Sequence, residues 1–265
     1  CADALAHEFG QDVGIQDDPN HRLTRCRDAG GFWNEFPPDE FATMQGLMKV
    51  AATHPRRLAE FLLAVLEPVA RATPNLAHRA IAALEKHTGV TVVTQNVDGL
   101  HQEAGSTVVH EIHGTLFEIV SGSGRFVRLI TRREMLEVVE KLRHALDGWL
   151  VLPRLLSAVS PILGLGPTVV HRPKIVLFGE AMAEPAWSQA MQAARLCNVM
   201  LVVGTSGMVL PAATLPSEAR SAGARVIDAG PEPGSGDVWL EGPAGEVLPA
   251  LVREAFSNGR ADSHT

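Results

Sequence analysis

The chain has 265 residues, 46% of them hydrophobic and 20% charged, with a formal net charge of -7. That composition excludes disorder as the default, and the acidic balance excludes a non-specific nucleic-acid binder, which would carry a basic surface. Three scattered cysteines, Cys1, Cys26 and Cys197, exclude a disulfide framework and a four-ligand zinc site. They speak for a reducing compartment inside the cell, the cytoplasm first, and no apolar run is long enough to cross a bilayer.

In chain order, Cys1–Phe9 has a helical composition, and the span from Gly10 to Asp39, dense in Gly, Pro, Asp and Asn, reads as a long loop. Leu58, Phe61, Leu62, Val65 and Leu66 then form one face of a helix, and Ala77, Ile81 and Leu84 another. Val90–Thr94 is short and β-branched, as a buried parallel strand is. The segment Ser121–Pro173 interrupts the strand series. It opens with Ser-Gly-Ser-Gly, carries a helical face of Met135, Val138, Val139, Leu142 and Leu146, and closes in the Gly/Pro stretch Gly164–Pro167. It reads as an inserted subdomain over residues 121–172. Further strands are expected at Lys174–Phe178, Val199–Val203 and Ala224–Asp228, and the polar end from Ser257 is expected to fray. Strands alternating with helices give an α/β class with a mostly parallel sheet.

In such a sheet, ligands bind beyond the carboxyl ends of the strands. Here those ends run into Thr94-Gln95-Asn96-Val97-Asp98-Gly99, Gly179-Glu180, Gly204-Thr205-Ser206-Gly207 and Asp228-Ala229-Gly230, which would converge on one crevice. Each has a plain structural reading too. Glycine after a strand is most often a turn, and Asn96 and Asp98 serve equally well as helix caps. On spacing alone, the nucleotide site and the set of turns stay level. His110 and His113 lie in Val109-His110-Glu111-Ile112-His113-Gly114. In extended chain their side chains leave opposite faces, which argues against a shared metal and leaves a histidine at a strand end able to act as a base.

At this point the residues resemble a known family. Thr94-Gln95-Asn96-Val97-Asp98-Gly99-Leu100-His101-Gln102-Glu103-Ala104-Gly105 is similar to the sirtuin signature Thr-Gln-Asn-hydrophobic-Asp-x-Leu-His-x-x-Ala-Gly. Val109–Gly114 resembles the segment with the family's catalytic histidine, which falls on His113. Pro173–Glu180 resembles the substrate-pairing strand, Val203–Ala213 the Gly-Thr-Ser nucleotide loop, Pro74–His78 a helix start with a structural histidine, and Gly242–Pro249 the start of the closing helix.

The resemblance implies a Rossmann-like fold, formed by residues 1–120 and 173–265, and an NAD-dependent protein-lysine deacylase releasing nicotinamide and O-acyl-ADP-ribose. NAD is then a co-substrate and an acyl-lysine peptide the partner, with no nucleic acid and no membrane. It implies that His113 is the general base and that Asn96 orders the ribose. Asp98 holds the carboxamide, and Gln95, Gly204, Thr205, Ser206, Asp228 and Ala244 contact the dinucleotide. Val176, Phe178 and Gly179 pair with the peptide backbone.

The chain also departs from the pattern. The apolar strand and Gly-Ala-Gly that open sirtuins are missing. Gly14-Ile15-Gln16-Asp17 resembles Gly-Ile-Pro-Asp, and Arg27 is the match for the motif's arginine. No cysteine lies in 121–172, so no structural zinc is expected. Asp228 stands where Asn is usual, and no tyrosine is present to build an acidic-acyl pocket. Two alternatives follow: a catalytically impaired binder of NAD or peptide, and an NAD hydrolase or ADP-ribosyltransferase.

Overall fold

A computed structural model describes residues 32–148, 150–165, 170–205 and 207–257. The expectations for Cys1–Phe9, for the loop before Phe32, for Arg27 and Ser206, and for the end beyond Ser257 lie outside the described residues.

The last part of the expected N-terminal loop is helical. Helices α1 (Phe32–Glu35) and α2 (Pro38–Phe41) precede α3 (Met44–Thr53) and the long α4 (Pro55–Arg71). Aromatic burial explains the difference. Phe36, Phe41 and Phe61 form a cluster with ring centroids 4.8 to 5.5 Å apart. Arg57 of α4 covers two of those rings and donates to the Glu35 carbonyl at 2.5 Å. Three desolvated rings outweigh the turn preference of the polar residues before them.

Helix α5 (Leu76–Leu84) starts on a capping box in which Asn75 accepts from the His78 amide at 3.0 Å and the His78 ring faces back to Asn75. It leads to β1 (Val92–Thr94), which pairs in parallel with β2 (Val109–Glu111) across the short α6 (Leu100–Ala104). Strands β7 (Val199–Val203), β8 (Arg225–Gly230) and β9 (Val238–Glu241) are also parallel. Helices α9 (Ala186–Leu196), α10 (Leu215–Ser221) and α11 (Ala244–Ser257) belong to this part. Ala190, Ala194 and Ala219 of the first two pack with Ile112, and Leu248 of α11 packs with Ala77 and Ala80 of α5. The mixed α/β character with parallel strands and covering helices is as expected.

The segment expected as a parallel strand over Lys174–Phe178 is different. Strand β6 spans Val170–Ile175 and is antiparallel to β3 (Gly114–Ser121). The order β4-β3-β6-β5 is completed by β4 (Phe126–Leu129) and β5 (Gly164–Leu165). The chain leaves β3 at Ser121 and returns beside it at His171, and Gly114 permits the close approach at the other end of the pair. Gly114 takes φ 79°, and a Cβ there would lie 1.8 Å from the Lys174 carbonyl oxygen, so only glycine lets the two backbones cross.

Between these strands, α7 (Arg132–Leu146) and α8 (Val151–Val159) pack on α4. Met135, Val138, Val139, Leu142, Leu155 and Val159, none more than 2% exposed, form the centre of an aliphatic core. Leu150 is 67% exposed at the N-cap of α8.

Candidate active site

Residues 94 to 98 are folded by their own side chains. The Thr94 hydroxyl accepts the Asn96 amide at 3.0 Å, and the Asp98 carboxylate accepts the Leu100 amide at 2.9 Å. Gly99, at φ 69°, turns the chain into α6. Asp98 thus holds the first amide of α6 from the residue before its Gly99 cap, which orders the carboxylate.

The strand β2 side brings His113 against this turn. Ile112 donates to the Thr94 carbonyl and Leu116 to the Val97 carbonyl, each at 3.0 Å, so the stretch around His113 is tied to both ends of the Gln95–Val97 turn. His113 is 2% exposed, and its Nδ1 lies 3.1 Å from the Gln95 carbonyl oxygen. The Gln95 side chain reaches Thr205, donating to its hydroxyl at 3.2 Å. Thr205 follows Gly204, which leaves β7 at φ 59°. Gln95, His113 and Thr205, from the ends of three chain segments, are thus linked, and Asn96 and Asp98 are buried beside them in the same turn. Among the buried side-chain atoms, the Gln95 Oε1 has no hydrogen-bond partner among the described residues.

The electrostatics are those of a dry site. Burial pulls the His113 imidazole down to about 4, against the opposing pull of the Gln95 carbonyl. Burial also raises the Asp98 carboxyl above the usual range, partly offset by the Leu100 amide and the Arg132 charge. Glu111, next along β2, is pushed up to about 7 by burial, while hydrogen bonds from Gln102 and Thr115 favour its charged form. His110 is lowered by burial as well. Among the described residues no group of three His, Cys, Asp or Glu side chains is placed to hold a metal ion.

Of the other expected site residues, Val176 is bonded directly to this cluster through the His113 carbonyl. Asp228 lies inside β8, opposite Val202 and Trp239, and its carboxylate accepts the Gly236 amide. Gly234 and Gly236 are so close that a Cβ on either would meet that carboxylate within 2.6 Å. Ala244 is buried at the first turn of α11. Val176 donates to the His113 carbonyl and Phe178 to the Ala42 carbonyl, each at 2.9 Å, while Gly179 turns at φ 84°. Sequence reasoning missed Arg132, whose guanidinium reaches the Asp98 carbonyl at 2.6 Å. The readable signal nearby was Thr131-Arg132-Arg133-Glu134, a capping box that starts a helix and says nothing of what its second residue touches.

A dinucleotide fits this chemistry. Gln95 Oε1 needs a donor, Asp98 holds an ordered carboxylate in a buried turn, and Gly204 and Gly207 are both at positive φ. A model of the Sir2 family matches residues 23–211. An NAD-dependent protein deacylase of Desulfosudis oleivorans is 37% identical over 234 residues, covering 86% of this chain and 84% of that protein. A Sir2 homologue solved in complex with NAD superposes with a TM-score of 0.68 at 29% identity, over 89% of this chain and 84% of that one. Sir2Af2 bound to a myristoylated histone peptide gives 0.63 at 31% identity, over 83% and 87%.

Proposed function

The chain belongs to the Sir2 family, and from that premise we propose that it is an NAD-dependent protein-lysine deacylase yielding nicotinamide and O-acyl-ADP-ribose. The observation that carries the reading is the Gln95, His113 and Thr205 linkage beside the buried Asn96 and Asp98.

NAD supplies a ribose bond to a good leaving group, and the protein supplies position and a base. Asp98, with one carboxylate oxygen held by Leu100, accepts from the carboxamide nitrogen of nicotinamide. Asn96 orders the adjoining ribose, and Gln95 offers its orphan oxygen to a ribose hydroxyl. His113 takes a proton from a ribose hydroxyl. Gly204, Thr205 and Ser206 contact the dinucleotide, and Ala244 sits under it at the start of α11. Arg27 serves the pyrophosphate side. Asp228, one carboxylate oxygen held by the Gly236 amide, accepts from the adenine-side ribose with the other. The acyl-lysine peptide lies against Val176, Phe178 and Gly179. Residues 121–172 act as a zinc-free subdomain inserted in a Rossmann-like domain, and three scattered cysteines support a reducing, cytoplasmic setting.

The test is release of nicotinamide from NAD in the presence of an acetyl-lysine peptide. Release that depends on the peptide supports the reading. Free ADP-ribose formed equally well without peptide would replace it with NAD hydrolysis. A folded protein that binds neither NAD nor peptide would end it.

A further inference from the structure

Arg132 is the first residue of α7, just after the Thr131 cap, in the segment that contains no cysteine. Its guanidinium serves four partners from four parts of the chain. Nε donates to Glu103 on α6 at 2.6 Å, Nη2 to the Asp98 carbonyl at 2.6 Å, and Nη1 to the Val69 carbonyl of α4. The guanidinium carbon lies 5.0 Å from the centroid of the Phe117 ring on β3. The side chain is only 21% exposed. A planar fork that donates in three directions while stacking on a ring is a task for arginine and not for lysine.

The peptide that Arg132 grips is a weak point in the chain. It joins Asp98 to Gly99, and Gly99 has no Cβ to resist rotation of that peptide plane. A flip there would turn the Asp98 carbonyl away from Arg132 and change the Gly99 conformation from which α6 starts. With the Asp98 carbonyl held by Arg132 and its carboxylate held by the Leu100 amide, both ends of the residue are fixed. Glu103 ties α6 to the same cation, so helix and turn move only as one body.

We propose that Arg132 is a positioning residue for the nicotinamide end of the site, through which the subdomain holds Asp98 in its binding geometry. This rests on the deacylase reading of Asp98. It touches no reacting atom, so its removal affects the ligand part that Asp98 contacts and spares the part that lies elsewhere.

The experiment compares R132Q, R132K and the milder E103Q in the full chain. Four readings are taken: KM for NAD, inhibition by nicotinamide, calorimetric binding of ADP-ribose, and hydrogen exchange of the α6 amides. In R132Q, KM for NAD and the nicotinamide inhibition constant are each expected to rise about tenfold, the scale of one lost charge-assisted hydrogen bond. ADP-ribose, which lacks nicotinamide, should bind within about twofold of the parent, since well-separated sites behave independently. R132K should recover only part of the loss, E103Q should lose about two- to threefold, and the amides of Leu100–Ala104 should exchange faster in R132Q. Equal losses for ADP-ribose and nicotinamide would overturn the proposal, as would unchanged exchange and unchanged nicotinamide inhibition in a folded R132Q. Should R132Q fail to fold, E103Q decides by the same two contrasts. A parent protein that releases no nicotinamide would sink the deacylase reading, while the exchange comparison still returns its own answer on Arg132.

Discussion

The Nδ1 of His113 and the main-chain oxygen of Gln95 lie 3.1 Å apart. A carbonyl oxygen can only accept, so Nδ1 carries the hydrogen and Nε2 carries the lone pair. The neutral ring is held in one tautomer by the backbone of the residue whose side chain reaches Thr205.

A base lowered to about 4 is already deprotonated at neutral pH. The pH profile of kcat/KM for NAD should therefore stay flat from about 8 down to about 5.5 and fall only below that, because its acid limb follows the free enzyme's base. An acid limb near 6.5 would show that His113 is more hydrated than its burial suggests. His113→Gln should lower kcat by about 10²- to 10⁴-fold, the usual contribution of a general base.

Stability should follow pH with a defined sign. Burial pulls His78, His101 and His113 each down to about 4, and in His101 the neighbouring His78 adds to the effect. For a group whose folded value is depressed, the stability is present above the unfolded value near 6.5 and is lost as pH falls through the folded one. Glu111, raised to about 7, acts the other way: its contribution is full below its unfolded value and is lost as pH rises through 7. Three histidines outweigh one carboxyl between 4 and 6.5, so Tm should drop by roughly 5–10 °C from pH 6.5 to pH 4.5. A calorimetric scan series checks this, and a flat or rising Tm on acidification would contradict it.

Gly114→Ala should be severe. The added Cβ meets the Lys174 carbonyl at 1.8 Å in a left-handed backbone, next to His113. A loss above about 4 kcal/mol is expected, in the range reserved for strained or clashing backbone positions. Urea unfolding measures it, and a change below about 1 kcal/mol would mean that β3 and β6 can separate cheaply.

The aliphatic cluster around α7 and α8, shared with α4, should be indifferent to chelators. EDTA at millimolar concentration should leave Tm unchanged, whereas Leu142→Ala should remove about 2–4 kcal/mol by opening a cavity. A chelator-induced loss of Tm would reveal a metal that the side chains of 130–162 do not explain.

The motifs were legible because they are local. Thr94–Gly105 carries its own turn in the Thr94 and Asp98 bonds, so a sequence pattern and a geometry coincide there. Helices at Leu58–Leu66 and Met135–Leu146 were legible by periodicity, which survives wherever one face is buried. The antiparallel direction of β6 was not, because it depends on pairing with β3, remote in sequence, and no local pattern records it. Phe32–Phe41 likewise reads as loop by its Pro, Asp and Asn, and becomes helical only against Phe61 and Arg57 of α4. For Asp228, the sequence did not record that the chain folds back so that Gly234 and Gly236 pack on its carboxylate and the Gly236 amide holds one of its oxygens.

The bond from Phe178 to the Ala42 carbonyl bears on how an extended segment could dock here. Strand addition normally gains main-chain bonds on an open edge. On this edge the Val176 and Phe178 amides are both spoken for, so an incoming strand that needs the second must displace the link between α2 and α3. The exchange conserves the number of backbone bonds and gives little net enthalpy from them. Discrimination among targets then falls to side chains, and tightness should vary with flanking residues far more than with segment length.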